Sequence, residues 1–160
     1  PAVRRKNLSN VKENGISVFQ SEIPIATMPP VVWTTVTKPL AEMKIALVSG
    51  TGVHLRDDLR FLLSCDSSFR IVPADTCTAD LTVSHGGYDN TDALTDINSM
   101  FPLDRLRELA QEGVISGIAP RHFGFMGGGG DLKELAQKTG PAIAEILNRD
   151  GVDAAIFTAG

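Results

Sequence analysis

Met43-Lys44-Ile45-Ala46-Leu47-Val48-Ser49, followed at once by Gly50-Thr51-Gly52, decides the fold class. The apolar run is short and enters two glycines, the pattern of a buried strand leading into a tight turn. Toward the C-terminus, Phe69-Arg70-Ile71-Val72 and Leu81-Thr82-Val83-Ser84 read as two further short strands, and Leu55 to Leu63 as one irregular helix. Pro102 suits a first helical turn. Leu103, Leu106, Leu109 and Ala110 then repeat at helical spacing, and Gly113 closes the element. Val114 to Ala119 reads as the next strand. Asp131 and Glu134 have capping-box-like spacing ahead of Leu132, Leu135 and Ala136, and Gly140-Pro141 is expected to kink or restart that helix. The helix resumes through Ile143, Ile146 and Leu147 to Gly151, and Val152 to Gly160 reads as a final parallel strand, expected inside the sheet. This alternation predicts a three-layer α/β fold with a mostly parallel, doubly wound, Rossmann-like sheet.

Pro24, Pro29, Pro30 and Pro39, set among β-branched residues, predict an extended arm over residues 1–40, with the α/β domain over 41–160. At 160 residues, 42% hydrophobic and 21% charged, the chain suits one such domain with a substantial core. A net charge of −4 argues against nucleic acid as a partner, because neutralising phosphates needs a concentrated basic surface. Arg4, Arg5, Lys6 and Lys12 read as a solvated basic tail. Eleven residues separate Cys65 and Cys77, outside any metal-ligand or CxxC pattern, so reduced and mostly buried thiols are expected. With no run approaching the ~20 apolar residues of a membrane span and no apolar leader core, the expectation is a cytoplasmic protein with no membrane partner.

Three stretches invite chemistry. Ser49-Gly50-Thr51-Gly52-Val53-His54-Leu55 begins like a dinucleotide fingerprint, with Asp75 near the end of the next strand, but Leu55 stands where the third glycine belongs. Nucleotide binding therefore stays an alternative to a plain turn. Phe123-Gly124-Phe125-Met126-Gly127-Gly128-Gly129-Gly130-Asp131 leads four glycines into a helix N-terminus. Gly127, Gly128, Gly129 and Gly130 can offer backbone N–H groups to an anion such as a substrate carboxylate, or allow a close backbone approach, although Asp131 competes for those donors.

Ser84-His85-Gly86-Gly87-Tyr88-Asp89-Asn90 follows a strand and gathers an imidazole, a phenol and a carboxylate in one loop. Its reading as a site makes His85 a proton-transfer group, with Asp89 fixing its tautomer or Tyr88 donating to it, and Gly86 and Gly87 lining the pocket. The alternative is a turn in which His85 bonds to backbone and Tyr88 packs. His54, His85, His122 and Asp89 lack the spacing of zinc motifs, so no metal is assigned.

In this order, Ser68-Phe69-Arg70-Ile71-Val72-Pro73, Val83 to Asn90, Asp96 to Leu106, Gly124 to Asp131 and Gly151-Val152-Asp153-Ala154 resemble the selenoprotein B subunit family of glycine, sarcosine, betaine and D-proline reductases. The resemblance is strongest to its D-proline reductase branch and runs from about Pro29 onward. It implies an oxidoreductase that cleaves a C–N bond of a small amino acid or amine. It further implies a selenocysteine or cysteine nucleophile just after the last strand, and a partner subunit carrying a pyruvoyl group that activates the amine. On this reading His85, Tyr88 and Asp89 are catalytic groups beside that nucleophile. The 160 residues are then an incomplete domain, inactive alone, with no cofactor of their own and self-association expected through uncovered apolar surface. The rival expectation is a stand-alone domain that binds a small anion or a partner.

Overall fold

The structure, a computed structural model, describes residues 34–127 and 130–159. Most of the expected arm, and Gly128 and Gly129, lie outside the described residues. The chain divides into two units, Pro1–Thr35 and Val36–Gly160; the second holds the elements below.

The leading apolar run forms β1 (Lys44–Ser49), and the Gly50-Thr51-Gly52 turn leads into β2 (Val53–Leu55). Then come β3 (Phe69–Pro73), β4 (Leu81–Val83), the short helix α1 (Thr91–Thr95) and α2 (Leu103–Gln111). β5 (Gly117–Ile118) and β6 (Arg121–Phe125) follow, then α3 (Leu132–Glu134), α4 (Gly140–Arg149) and β7 (Ala154–Thr158). The fold is thus α/β with a mixed, mostly parallel sheet: β5, β6 and β7 pair parallel with β1, while β3 pairs antiparallel with β6. β2 and β4 form a separate antiparallel pair.

β1 organises the core because its residues alternate between neighbours. Ile45 and Leu47 join one apolar cluster with Phe101, Leu103 and Leu106. Val48 joins a second with Phe123, Ile143 and Ile146. β5 and β6 pair with the two halves of β1. Ile45 faces Ile118 and Val48 faces Phe123, so four residues, 119–122, stand opposite two, Ala46 and Leu47. Pro120, which has no N–H, sits in this bulge. The His122 ring repairs the ladder, its Nδ1 accepting from the Leu47 N–H at 2.9 Å.

Several expectations are corrected. No helix forms over Leu55–Leu63. Asp66 instead accepts from the Leu62 N–H, and Arg70 donates to the Leu59 carbonyl while lying over the Phe61 ring. The expected strand Val114–Ala119 shrinks to β5, and β6 was not anticipated. Both cysteines are exposed free thiols, not buried ones. β7 is an edge strand: β5 and β6 occupy one edge of β1, β7 takes the other, and among the described residues it pairs with nothing else. At Gly140-Pro141 the expected restart takes a specific form, α-helical bonding resuming at Gly140 as α4 after a widened turn. The turn before it widens, over Leu135–Thr139, to π-type bonding in which the Gly140 N–H reaches the Leu135 carbonyl, making room for the proline ring. No helix among the described residues is long and apolar enough to cross a membrane.

Candidate functional site

The Gly50-Thr51-Gly52 turn is a hub where four strand ends meet. The Gly50 N–H donates to the Thr158 carbonyl at the end of β7, and the Gly50 carbonyl accepts from the Gly127 N–H beyond β6. The Gly52 N–H donates to the Phe125 carbonyl, and the Gly52 carbonyl accepts from the Ser84 N–H beyond β4. Glycine is required at position 52, where φ is +75° and a Cβ would lie 2.4 Å from the Ser84 carbonyl oxygen. The nucleotide-binding alternative loses its physical basis here. The turn enters a strand rather than a helix, so no helix N-terminus faces it, and both glycine amides are already bonded.

A hydroxyl chain runs through the same hub. Thr158 Oγ1 donates to Ser49 Oγ at 2.7 Å, and Ser49 Oγ lies 2.7 Å from Thr51 Oγ1. Ser49 and Thr51 are fully buried, where an unbonded hydroxyl would be costly, so the chain satisfies groups that cannot reach water. The Thr51 carbonyl accepts from the Tyr88 hydroxyl at 2.9 Å, and the Tyr88 ring lies 4.7 Å from the His85 ring, centroid to centroid. The end of β7 is thus linked through Ser49, Thr51 and Tyr88 to His85.

Within this cluster the expected partnerships are redistributed. His85 Nδ1 accepts from the Gly87 N–H at 2.9 Å, so in the neutral ring Nε2 carries the hydrogen. Partial burial holds the His85 pKa below its ordinary value. Tyr88 donates to Thr51 rather than to His85; burial raises its pKa, against the lowering effect of its bond to Thr51. Asp89 does not orient His85: it accepts from the Thr91 side chain and N–H, which hold its carboxyl below the usual range. Gly86 lies beside Leu63, and Gly87 stacks close under His85.

The glycine run divides similarly. Gly127 makes the close backbone approach, 3.5 Å from the Gly50 Cα to where its own Cβ would stand. Gly130 packs under the Asp66 carbonyl and Leu135. Asp131 caps α3, its carboxylate taking the Lys133 and Glu134 N–H groups. The Lys133 and Glu134 N–H groups are therefore not open to an anion, while Gly128 and Gly129 of the expected cradle lie outside the described residues. Among the described residues no three His, Cys, Asp or Glu side chains gather to hold a metal. A groove of about 470 Å3 lined by Ser67, Phe69, Glu134 and Lys138 contains none of the expected site residues.

The links among Ser49, Thr51 and Thr158, and the one between His54 and Ser84, were not anticipated from sequence. A serine or threonine at a strand end is common, and only the register of β1 against β7, which pairs Ser49 with Thr158, brings them together.

The family model described as glycine/sarcosine/betaine reductase selenoprotein B matches residues 11–160. The chain is 55% identical over 142 residues to the D-proline reductase subunit gamma of Acetoanaerobium sticklandii, covering 89% of this chain and 59% of that protein. It is 32% identical over 145 residues to a glycine reductase complex component B subunit gamma of Carboxydothermus hydrogenoformans, covering 88% of this chain and 33% of the relative. It is 31% identical over 145 residues to a sarcosine reductase complex component B subunit beta of Peptoclostridium acidaminophilum, with the same two shares. The chain thus spans between one third and three fifths of these relatives. No solved structure matches.

Proposed function

The chain belongs to the selenoprotein B family of glycine, sarcosine and betaine reductases, and we propose from that premise that it carries the scaffold of a D-proline-reductase-type subunit. Its reaction would be reductive cleavage of a C–N bond in a small cyclic or N-substituted amino acid. The observation that carries this reading is the link from Thr158 through Ser49 and Thr51 to Tyr88. It puts the end of β7, after which the resemblance expects a selenolate or thiolate, on the same edge as His85. In an α/β sheet the strand carboxyl ends are where ligands gather. We read the two apolar clusters as the two faces of a three-layer, Rossmann-like sheet.

Neutral His85, held with Nε2–H outward by the Gly87 bond, acts on this reading as a hydrogen-bond donor to the substrate rather than as a resident acid. Tyr88 fixes the loop that presents it. A pyruvoyl group on a docked subunit fits this edge, because its carbonyl oxygens need donors and His85 Nε2–H makes no hydrogen bond to the described residues. When docked, that group supplies electrophilic activation of the amine. The 160 residues contain no selenocysteine, and Cys65 and Cys77 lie away from the end of β7 in sequence. We therefore expect no turnover from this stretch alone, and expect the complete subunit in the cytoplasm, in a complex.

The test is dithiol-dependent reduction of D-proline by the 160 residues, and by the chain extended through a Sec- or Cys-bearing segment together with a pyruvoyl-bearing partner. Turnover only in the second mixture supports the reading. Turnover by the 160 residues alone, or an assembled pair inert toward D-proline, would overturn it.

A further inference from the structure

His54 is fully buried, yet both its ring nitrogens are bonded. Nδ1 lies 2.6 Å from the Leu55 carbonyl oxygen. A carbonyl only accepts, so Nδ1 carries the hydrogen, and Nε2 of the neutral ring is left as an acceptor. At 2.8 Å from Nε2 stands Ser84 Oγ, whose hydrogen must then point at the imidazole. The result is a hydroxyl on a base whose tautomer is fixed by a third group, the arrangement that activates a serine nucleophile.

The surroundings continue the pattern. Ser84 is only part-buried and follows β4 directly, with its N–H tied to the Gly52 carbonyl at 2.9 Å. The Phe61 ring packs edge-on against His54, 5.8 Å between centroids, which limits the ring's freedom to turn. The next two backbone N–H groups, of His85 and Gly86, make no hydrogen bond to the described residues. Amides just after a nucleophile are suitably placed to receive the negative oxygen of a tetrahedral intermediate.

We propose that Ser84, activated by His54, is a nucleophile toward activated acyl compounds such as esters, at a site separate in mechanism from the reductase chemistry. Ser84 Oγ bonds to the acyl carbon as its proton passes to His54 Nε2, and Nδ1–H keeps its bond to the Leu55 carbonyl. The imidazolium then returns the proton to the departing alkoxide, leaving an acyl-serine and an alcohol. No oxidant or reductant is needed. The pair does not rest on the reductase reading, because it needs neither the downstream nucleophile nor a partner subunit.

The probe is phenylmethylsulfonyl fluoride, which transfers its sulfonyl group to an activated hydroxyl with loss of fluoride, applied to the folded 160-residue chain. The expected result is one adduct, mapped to Ser84 by peptide mass. Its formation should be about 10²-fold or more faster than in the same chain unfolded in urea, where the His54 contact is lost. Ser84→Ala should remove the adduct, and His54→Gln should slow labelling by about 10²-fold or more with its far-UV circular dichroism unchanged. Should His54→Gln not fold, the comparison of folded with urea-unfolded chain decides alone. A folded chain that is not labelled at Ser84, is labelled no faster than the urea-unfolded chain, or labels equally as His54→Gln would overturn the proposal and reduce the pair to a structural bond.

Discussion

β1 and β7 are neighbours of similar composition with opposite fates. Ile45-Ala46-Leu47-Val48 is sealed, none of its residues more than 4% exposed. Ala154-Ala155-Ile156-Phe157 is hydrogen-bonded to it in perfect register, yet leaves Phe157 72% and Ile156 42% exposed. A short apolar run marks a strand with surface to bury; it does not report how many neighbours that strand has within a given stretch of chain. β1 therefore holds the fold, whereas β7 contributes its terminal hydroxyl to the hub and leaves an apolar edge exposed.

The largest effect should come from the core of β1. Leu47→Ala is expected to destabilise the domain by about 2–5 kcal/mol, the range for truncating a fully buried leucine. Phe157→Ser, on the same sheet, should stay within about 0.5 kcal/mol. Urea unfolding followed by circular dichroism reads both, and similar losses in the two variants would break the distinction between central and edge strand.

Acid should attack the same centre. Burial pushes the His122 pKa down to about 4, with the Arg107 charge adding to the effect, while its Nδ1 accepts from Leu47. The unfolded ring takes up its proton near pH 6.5. Between pH 6.5 and 4 the unfolded state binds more protons, so this contribution is present above pH 6.5 and is lost as pH falls toward 4. It amounts to about 3 kcal/mol at most. His122→Asn, which keeps an acceptor without the titration, should flatten the pH dependence of the urea midpoint across that window. An unchanged slope would remove His122 from the account.

A smaller effect, about 1 kcal/mol, is expected for Ser49→Ala. It removes the acceptor of Thr158 and the partner of Thr51, while β1 keeps its apolar contacts. Its signature should be local: faster amide exchange at Gly50 and Thr158, with little change at Ile45. Exchange accelerated equally along β1 would mean the hydroxyls support the whole strand rather than its end.

These predictions also mark how far the sequence could be read. β1, β3, β4, α2 and the Asp131 cap follow from local patterns, because apolar runs and capping chemistry act within a few residues. β6 did not, since Phe123-Gly124-Phe125 looks like the start of a glycine loop. Gly124 is in fact in mid-strand because β2 crosses it closely: a Cβ there would lie 1.9 Å from the Val53 carbonyl oxygen. The loop carrying His85 and Tyr88 was found, and the alternative in which His85 bonds to backbone is the one its Gly87 bond follows, but the partners of Asp89 and Tyr88 were not. Asp89 has Thr91 two residues on, and such a local bond outcompetes a more distant imidazole. Tyr88 reaches Thr51, 37 residues away, a pairing no local pattern carries. The resemblance supplied the family from motifs in order, and it was silent on the hydroxyl chain that joins them.

The central claim is that the ends of β1, β4, β6 and β7 form one site through the Gly50-Thr51-Gly52 hub. Its most direct test is substrate turnover by the complete complex carrying Thr158→Val or Phe157→Ser, adjacent residues of β7 with opposite roles. The account predicts that Thr158→Val lowers kcat about tenfold, the effect of one lost positioning hydrogen bond, while Phe157→Ser leaves kcat per assembled complex unchanged. Equal kcat values in the two variants would contradict it.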